Sequence, residues 1–270
     1  MEYFWLLAFM LAIGAFAGIV AGLLGVGGGI ILVPAFYYAL AALGYESESL
    51  MQICVATSLA TIIVTSVRSV LSHHKKGAVE WDILRGWAPG IAIGAVFGVV
   101  LASGLKSQSL MLIFGVLGVT VGIYLAFGRS EWRLGTRMPS GLARAIFSPI
   151  VGFLSVLMGI GGGSFGVPLM SLYGRPIHKA VATAAGFGVI IAVPSTLGFM
   201  LSGWGDPSSP PFTFGRVNLI AFSIIVSMTM LTAPVGAKLA HMMDPKPLKR
   251  VFAGFIILMA FNMLRKALIG

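Results

Sequence analysis

The chain has 270 residues, of which 58% are hydrophobic and 10% charged, with a formal net charge of +10 and a mean hydropathy of +0.99. A soluble domain of this size could not bury so much apolar surface, so the composition places the chain in a lipid bilayer. Cys54 is the single cysteine, which excludes intramolecular disulfides and cysteine metal clusters, and the basic residues are scattered through short connections in the manner of membrane topology signals rather than gathered into a nucleic-acid surface.

Apolar stretches follow one another along the whole length. The first, at 5–24, lacks the basic leader of a signal peptide and reads as a retained helix. It runs into GVGGGIILVP at 25–34, whose glycines break a helix, and a short apolar arm at 30–43 follows. Longer stretches then occupy 51–71, 86–103 and 108–127. After a polar linker, GRSEWRLGTRMPSG, the order recurs: 141–158, a second motif GIGGGSFGVP at 159–168, a short arm at 164–173, and longer stretches at 180–201, 217–237 and 249–264.

The recurrence is an internal repeat. With the decapeptides aligned, Val55-Ala56-Thr57 falls on Val181-Ala182-Thr183. Further on, Gly98, Leu101, Ala102, Leu110 and Phe114 fall on Gly236, Leu239, Ala240, Leu248 and Phe252. The organisation read from this is a first repeat over 1–127, a cytoplasmic linker over 128–140 and a second repeat over 141–270. Loop charges orient the copies. Connection 44–49 (GYESES) is acidic where its counterpart 174–179 (GRPIHK) is basic, and the basic 72–85 answers to the nearly neutral 202–216. Lys and Arg collect on the cytoplasmic side, which puts 72–85, 128–144, 174–179 and 238–250 inside and 44–49, 104–109 and 202–216 outside. The second repeat is then inverted relative to the first. The fold expected is an all-α polytopic integral membrane protein of two inverted repeats. Each has a glycine-broken, potentially re-entrant helical hairpin plus three transmembrane helices, for eight to ten membrane segments.

Inverted repeats with broken helices are the architecture of secondary transporters, with the substrate held near the midplane between the halves. Unwound backbone inside a bilayer is tolerated where protein buries it or it lines a wet cavity, and a helix starting just after such a break presents free N–H groups and a positive dipole end to an anion. Gly27, Gly28, Gly29, Gly161, Gly162, Gly163 and Ser164 are therefore candidate substrate residues. The competing reading is close helix packing, which is preferred for scattered glycines such as Gly14, Gly18, Gly94 and Gly98. Hydroxyls at Thr57, Ser58, Thr61, Thr183, Ser195 and Thr196 mark a polar face or else bond back to their own helices. Arg68 ends the Thr57–Thr61–Thr65 stripe, and snorkelling to the interface is favoured over anion binding there. All eight acids lie in connections or at termini, which argues against a cation substrate and for an anion. No nucleotide loop or buried catalytic pair occurs, so neither an enzyme nor a cofactor is expected.

GLLGVGGGIILVP, ATSLATIIVTSVRSVLSHHKKGAVEW, GIGGGSFGVP, AVATAAGFGVIIAVPSTLGFMLSGW and APVGAKLAHMMDPKPLKRVFAGFIILMA together resemble the TauE/SafE family of sulfite and organosulfonate exporters, over nearly the full chain and in both copies. The resemblance implies a multi-pass transporter of the bacterial inner membrane and a sulfur-containing anion such as sulfite or sulfoacetate. The residues themselves reach only as far as an anion. Expected partners are a small anionic substrate and the lipid bilayer, with no nucleic acid; a homodimer is compatible with the sequence. Alternatives are an uptake permease or anion channel, for sulfate for example, and a membrane assembly or sensory subunit without flux of its own.

Overall fold

The computed structural model describes residues 2–24, 28–128, 132–242 and 245–269. Ten helices form among them, in the order α1 Glu2–Leu24, α2 Gly29–Ala42, α3 Leu50–Lys75, α4 Trp81–Gly104, α5 Ser107–Phe127, α6 Gly141–Leu157, α7 Gly163–Leu172, α8 Ile177–Ser202, α9 Leu219–Met242 and α10 Pro245–Ile269. Six of them, α1, α3, α4, α5, α8 and α9, carry a stretch long and apolar enough to cross a membrane. The protein is an all-α polytopic membrane protein. One departure from an all-helical chain is a two-residue antiparallel ribbon, β1 Thr213–Phe214 with β2 Val217–Asn218, just before α9.

Helix pairing follows from small residues. In lipid there is little hydrophobic gain in helix association, so close backbone approach through glycine decides which faces meet. On α4, Gly86, Gly90, Gly94 and Gly98 recur every fourth residue and form one stripe. A methyl group on Gly94 would run into the Pro149 carbonyl of α6, and one on Gly98 would lie 2.8 Å from Val156 Cβ. The α1–α9 seam is built alike, with Gly14 against Met228 and Gly18 against Thr229 and Thr232. These four glycines, read from the sequence as packing residues, do pack.

The same contacts give helix directions. Residue numbers rise together along α1–α9 (Gly14 with Met228, Gly18 with Thr232) and along α4–α6 (Gly90 with Ser148, Gly98 with Val156), so both pairs are parallel. They run oppositely along α5–α10, where Gly115 meets Leu264 and Gly122 meets Ile257. Near the start of α3, Thr57 is bonded to Asn218 at the entry to α9; near the start of α8, Thr183 is bonded to Glu80 at the entry to α4. Thus α3 and α9 start from one face of the molecule and α8 and α4 from the other. Since α1 follows α9 and α6 follows α4, the corresponding helices α1 and α6 point in opposite directions.

The hairpins turn back. Leu134, ahead of α6, donates its N–H to the carbonyl of Leu172 at the end of α7 at 2.8 Å, and Arg175 reaches the Thr136 carbonyl at 3.2 Å. The α6–α7 hairpin therefore enters and leaves by the linker face, and α7, with 10 residues, extends only about 15 Å. Likewise α1–α2 returns to the face from which α3 starts. Almost all of α2 is buried, from Gly29 through Leu40, so this short arm lies inside the protein rather than against lipid.

Packing of the α4–α6 seam predicts that Gly94→Val destabilises the protein by about 1–3 kcal/mol through overpacking against backbone, read as a lower midpoint of thermal unfolding in detergent. Gly104, with nothing within 4 Å of its Cβ position, should accept alanine within about 0.5 kcal/mol. Equal midpoints for the two variants would refute the seam.

Candidate functional site

The two glycine-rich turns meet in the interior. A Cβ on Gly29 would collide with the Gly159 carbonyl and lie 2.9 Å from Ile160 Cα and 3.0 Å from Ile62 Cδ1. On the other side, Ser58 of α3 donates to the Gly159 carbonyl at 2.7 Å, satisfying a polar group at the tip of the α6–α7 hairpin. Gly28 (φ 69°) and Gly159 (φ 61°) adopt the left-handed conformation that glycine holds without strain. Gly162 packs on α8, where a Cβ would strike Phe187 and come within 2.9 Å of the Ala184 carbonyl. Gly28, whose Cβ position lies 3.3 Å from the Ala17 carbonyl, Gly29 and Gly162 are thus in close contact with protein. Gly161 and Gly163 are buried beside them, and Gly27 lies outside the described residues.

What remains for a ligand is the start of α7. Its first turn has Gly163, Ser164 and Phe165 N–H groups for which no backbone acceptor is found among the described residues, the first turn bond being Gly166 N–H to Gly162 at 2.7 Å. Ser164 is 3% exposed, and its hydroxyl has no hydrogen-bond partner. A buried hydroxyl without a partner costs free energy comparable to a lost hydrogen bond. No Asp, Glu, Lys or Arg is buried among the described residues, so the donors here are neutral and the dipole end of α7 is uncompensated by a carboxylate.

The other hydroxyls sort by partner. Thr61 bonds back to the Ser58 carbonyl at 2.7 Å and Ser195 to Ile191 at 2.6 Å, both within their own helices. Thr57 and Thr183 accept backbone N–H groups across the halves, from Asn218 at 3.0 Å and Glu80 at 2.9 Å. Thr196, like Ser155 on α6, is buried without a partner. Arg68 is exposed. It stands two residues beyond the buried Ser66, about 200° around the helix, and is not brought to the glycine turns.

The connections cluster at the two ends. At the linker face Arg175 pairs with Glu80 at 3.2 Å, joining the α7–α8 turn to the entry of α4. At the opposite face Glu48, Ser49, Gln52, Ser103 to Lys106, Asp206, Ser208 and Arg216 surround a cleft of about 350 Å³. There Asp206 pairs with Arg216 at 2.6 Å. Hydrogen bonds from Ser208, and then the Arg216 guanidinium, hold the Asp206 carboxyl below its ordinary range, so this pair is charged at neutral pH.

Comparison with known proteins accords with this arrangement. Residues 10–263 match the family model described as "Sulfite exporter TauE/SafE". The chain belongs to the TauE/SafE family. Similar curated proteins include a "probable membrane transporter protein" of Haemophilus influenzae, 32% identical with 95% of this chain and 97% of that one covered. Another of Methanocaldococcus jannaschii is 23% identical with 97% of each chain covered. YunE of Bacillus subtilis is 24% identical over 94% of this chain and 96% of its own. No solved structure matches. Membership makes the chain a multi-pass membrane transporter and not an enzyme.

The Glu80 and Asn218 anchors lie outside the residues singled out from the sequence. The anchors were legible: in the register that pairs Gly98 with Gly236, Glu80 falls on Asn218, the two residues whose amides bond Thr57 and Thr183. Replacing Thr57 by valine removes the acceptor of the buried Asn218 amide and should cost about 1–3 kcal/mol, measured by thermal unfolding. Thr183→Val should act in the same direction. Two variants as stable as wild type would show that these bonds do not hold the halves together.

Proposed function

We propose that this TauE/SafE protein is a secondary transporter of the cytoplasmic membrane that exports a small sulfur-containing anion, such as sulfite, sulfoacetate or a related organosulfonate, by alternating access between its oppositely directed halves. The observation that carries this reading is the first turn of α7. Unpaired N–H groups and the unpartnered Ser164 hydroxyl are buried there together, with no carboxylate to repel a negative charge.

Physical chemistry favours such a site for an oxyanion. Several neutral donors spread over its oxygens replace the water it leaves behind. A fixed cation would bind more strongly and release more slowly, and a transporter must do both. The family description, sulfite exporter, directs the choice of anion to sulfur.

Topology supports transport as well. The linker face carries Arg133, Arg137, Arg144, Arg175, Lys75 and Lys76 and is the cytoplasmic side by charge. There the Glu80–Arg175 pair joins the α7–α8 turn to the entry of α4, while the cleft beside Gln52 at the opposite face holds its own ion pair, Arg216 with Asp206.

Purified protein in proteoliposomes should carry sulfite or a simple sulfonate down an imposed gradient with saturable kinetics. Ser164→Ala should raise the half-saturating concentration about ten-fold, the loss of one hydrogen bond to a charged group. Absence of flux for sulfite, sulfoacetate and simple sulfonates alike would refute the proposal.

A further inference from the structure

Hydroxyls in helices ordinarily bond back to a carbonyl one turn earlier, and Thr61, Thr65 and Ser195 do so here. Ser66 on α3 does not. It is 4% exposed and has no hydrogen bond among the described residues. Its direction is set by Gly188 on the facing helix α8. A methyl group built on Gly188 would collide with Ser66 Oγ, would lie 3.1 Å from Ser66 Cβ, and would stand 3.7 Å from the backbone nitrogen of Gly162. The serine hydroxyl therefore occupies the space that any larger residue at 188 would fill. That space borders the turn from which α7 starts.

The arrangement occurs once, although the fold is doubled. In the register that pairs Thr57 with Thr183, Gly188 corresponds to Ile62 and Ser66 to Ala192; in the register of the glycine motifs, Ser164 corresponds to Ile30. At the start of α2 the Ile62 side chain reaches to 3.0 Å from the Cβ position of Gly29. The start of α2 is thus lined by isoleucine, whereas α7 starts at Ser164, whose buried hydroxyl has no partner, with Ser66 of the facing helix close by.

We infer that Ser66, admitted by Gly188, is a second substrate-binding hydroxyl at the first turn of α7. With Ser164 it makes the anion site one-sided: the oxyanion is held by the α7 end of the pseudo-symmetric centre and not by the start of α2. This rests on the transporter reading above and adds to it a residue on the opposite half, so that the anion bridges α3 of the first repeat and α7 of the second. A ligand that ties the two halves together in this way is placed to couple its own binding to their relative movement.

The test is a double-mutant cycle on the full-length protein in detergent, with dissociation constants for sulfite, sulfate and sulfoacetate measured by calorimetry. Ser66→Ala should weaken binding of the preferred anion about ten-fold or more while leaving the unfolding midpoint unchanged or raised. Gly188→Ala should weaken it similarly by displacing the hydroxyl. The pair S66A/G188A should bind no more weakly than either single variant, because both changes remove the same group. If Gly188→Ala alone does not fold, S66A/G188A, which lacks the colliding oxygen, still supplies the comparison with Ser66→Ala. Wild-type protein that binds an anion which Ser66→Ala binds equally well overturns this inference alone, and so do strictly additive losses. Wild-type protein that binds none of the three anions overturns the transport reading and this inference with it.

Discussion

Backbone interrupted inside a bilayer must find protein partners, because lipid offers none, and this constraint organises the whole molecule. Two helical hairpins break at glycine-rich turns, and the breaks are placed against each other, Gly29 on Gly159, with Ser58 supplying the hydrogen bond that the Gly159 carbonyl would otherwise lack. The remaining helices act as the enclosure that keeps these polar turns from lipid. The glycine stripes of α4 and α1 serve that end by letting α4 pack closely on α6 and α9 on α1, so that α4 and α9 wall the hairpins in.

Once the turns are sealed in this way, the polar groups still without partners become informative. Most hydroxyls of the buried helices are engaged, either with their own backbone or across the halves. Ser103, Ser155, Ser164, Ser171 and Thr196 are exceptions, and of these Ser164 stands in the first turn of a helix whose N–H groups also lack acceptors, with Ser66 of α3 close by. The doubled architecture supplies an internal control. The matching positions at α2 are apolar, so a general demand of the fold does not account for the hydroxyls at α7.

Much of the fold could be read from the chain because repetition and loop charge are both linear features. The decapeptides, the shared Val-Ala-Thr and the exchange of acidic for basic connections pointed to oppositely directed halves, and the contacts of Gly14 and Gly90 set the directions of α1 against α9 and α4 against α6. The site was less legible. Whether a glycine faces a ligand or a neighbouring helix depends on what lies across from it, which spacing along one helix does not reveal; hence Gly28, Gly29 and Gly162 proved to be packed against protein. Thr57 and Thr183 stand out in the sequence as hydroxyls within apolar stretches, and each accepts the backbone N–H at the entry to a helix of the other repeat. Ser66 was invisible because its significance depends on the absence of a side chain at Gly188, on another helix.

The central claim is that a sulfur oxyanion binds where α7 begins, between the halves. Selenate and selenite are heavy-atom analogues of sulfate and sulfite, and their anomalous scattering in a crystal of this protein locates them directly. The account predicts one strong interior peak within hydrogen-bonding distance of the Ser164 hydroxyl and the neighbouring N–H groups. Peaks confined to the cleft near Arg216 or to the start of α2, with none at α7, would contradict it.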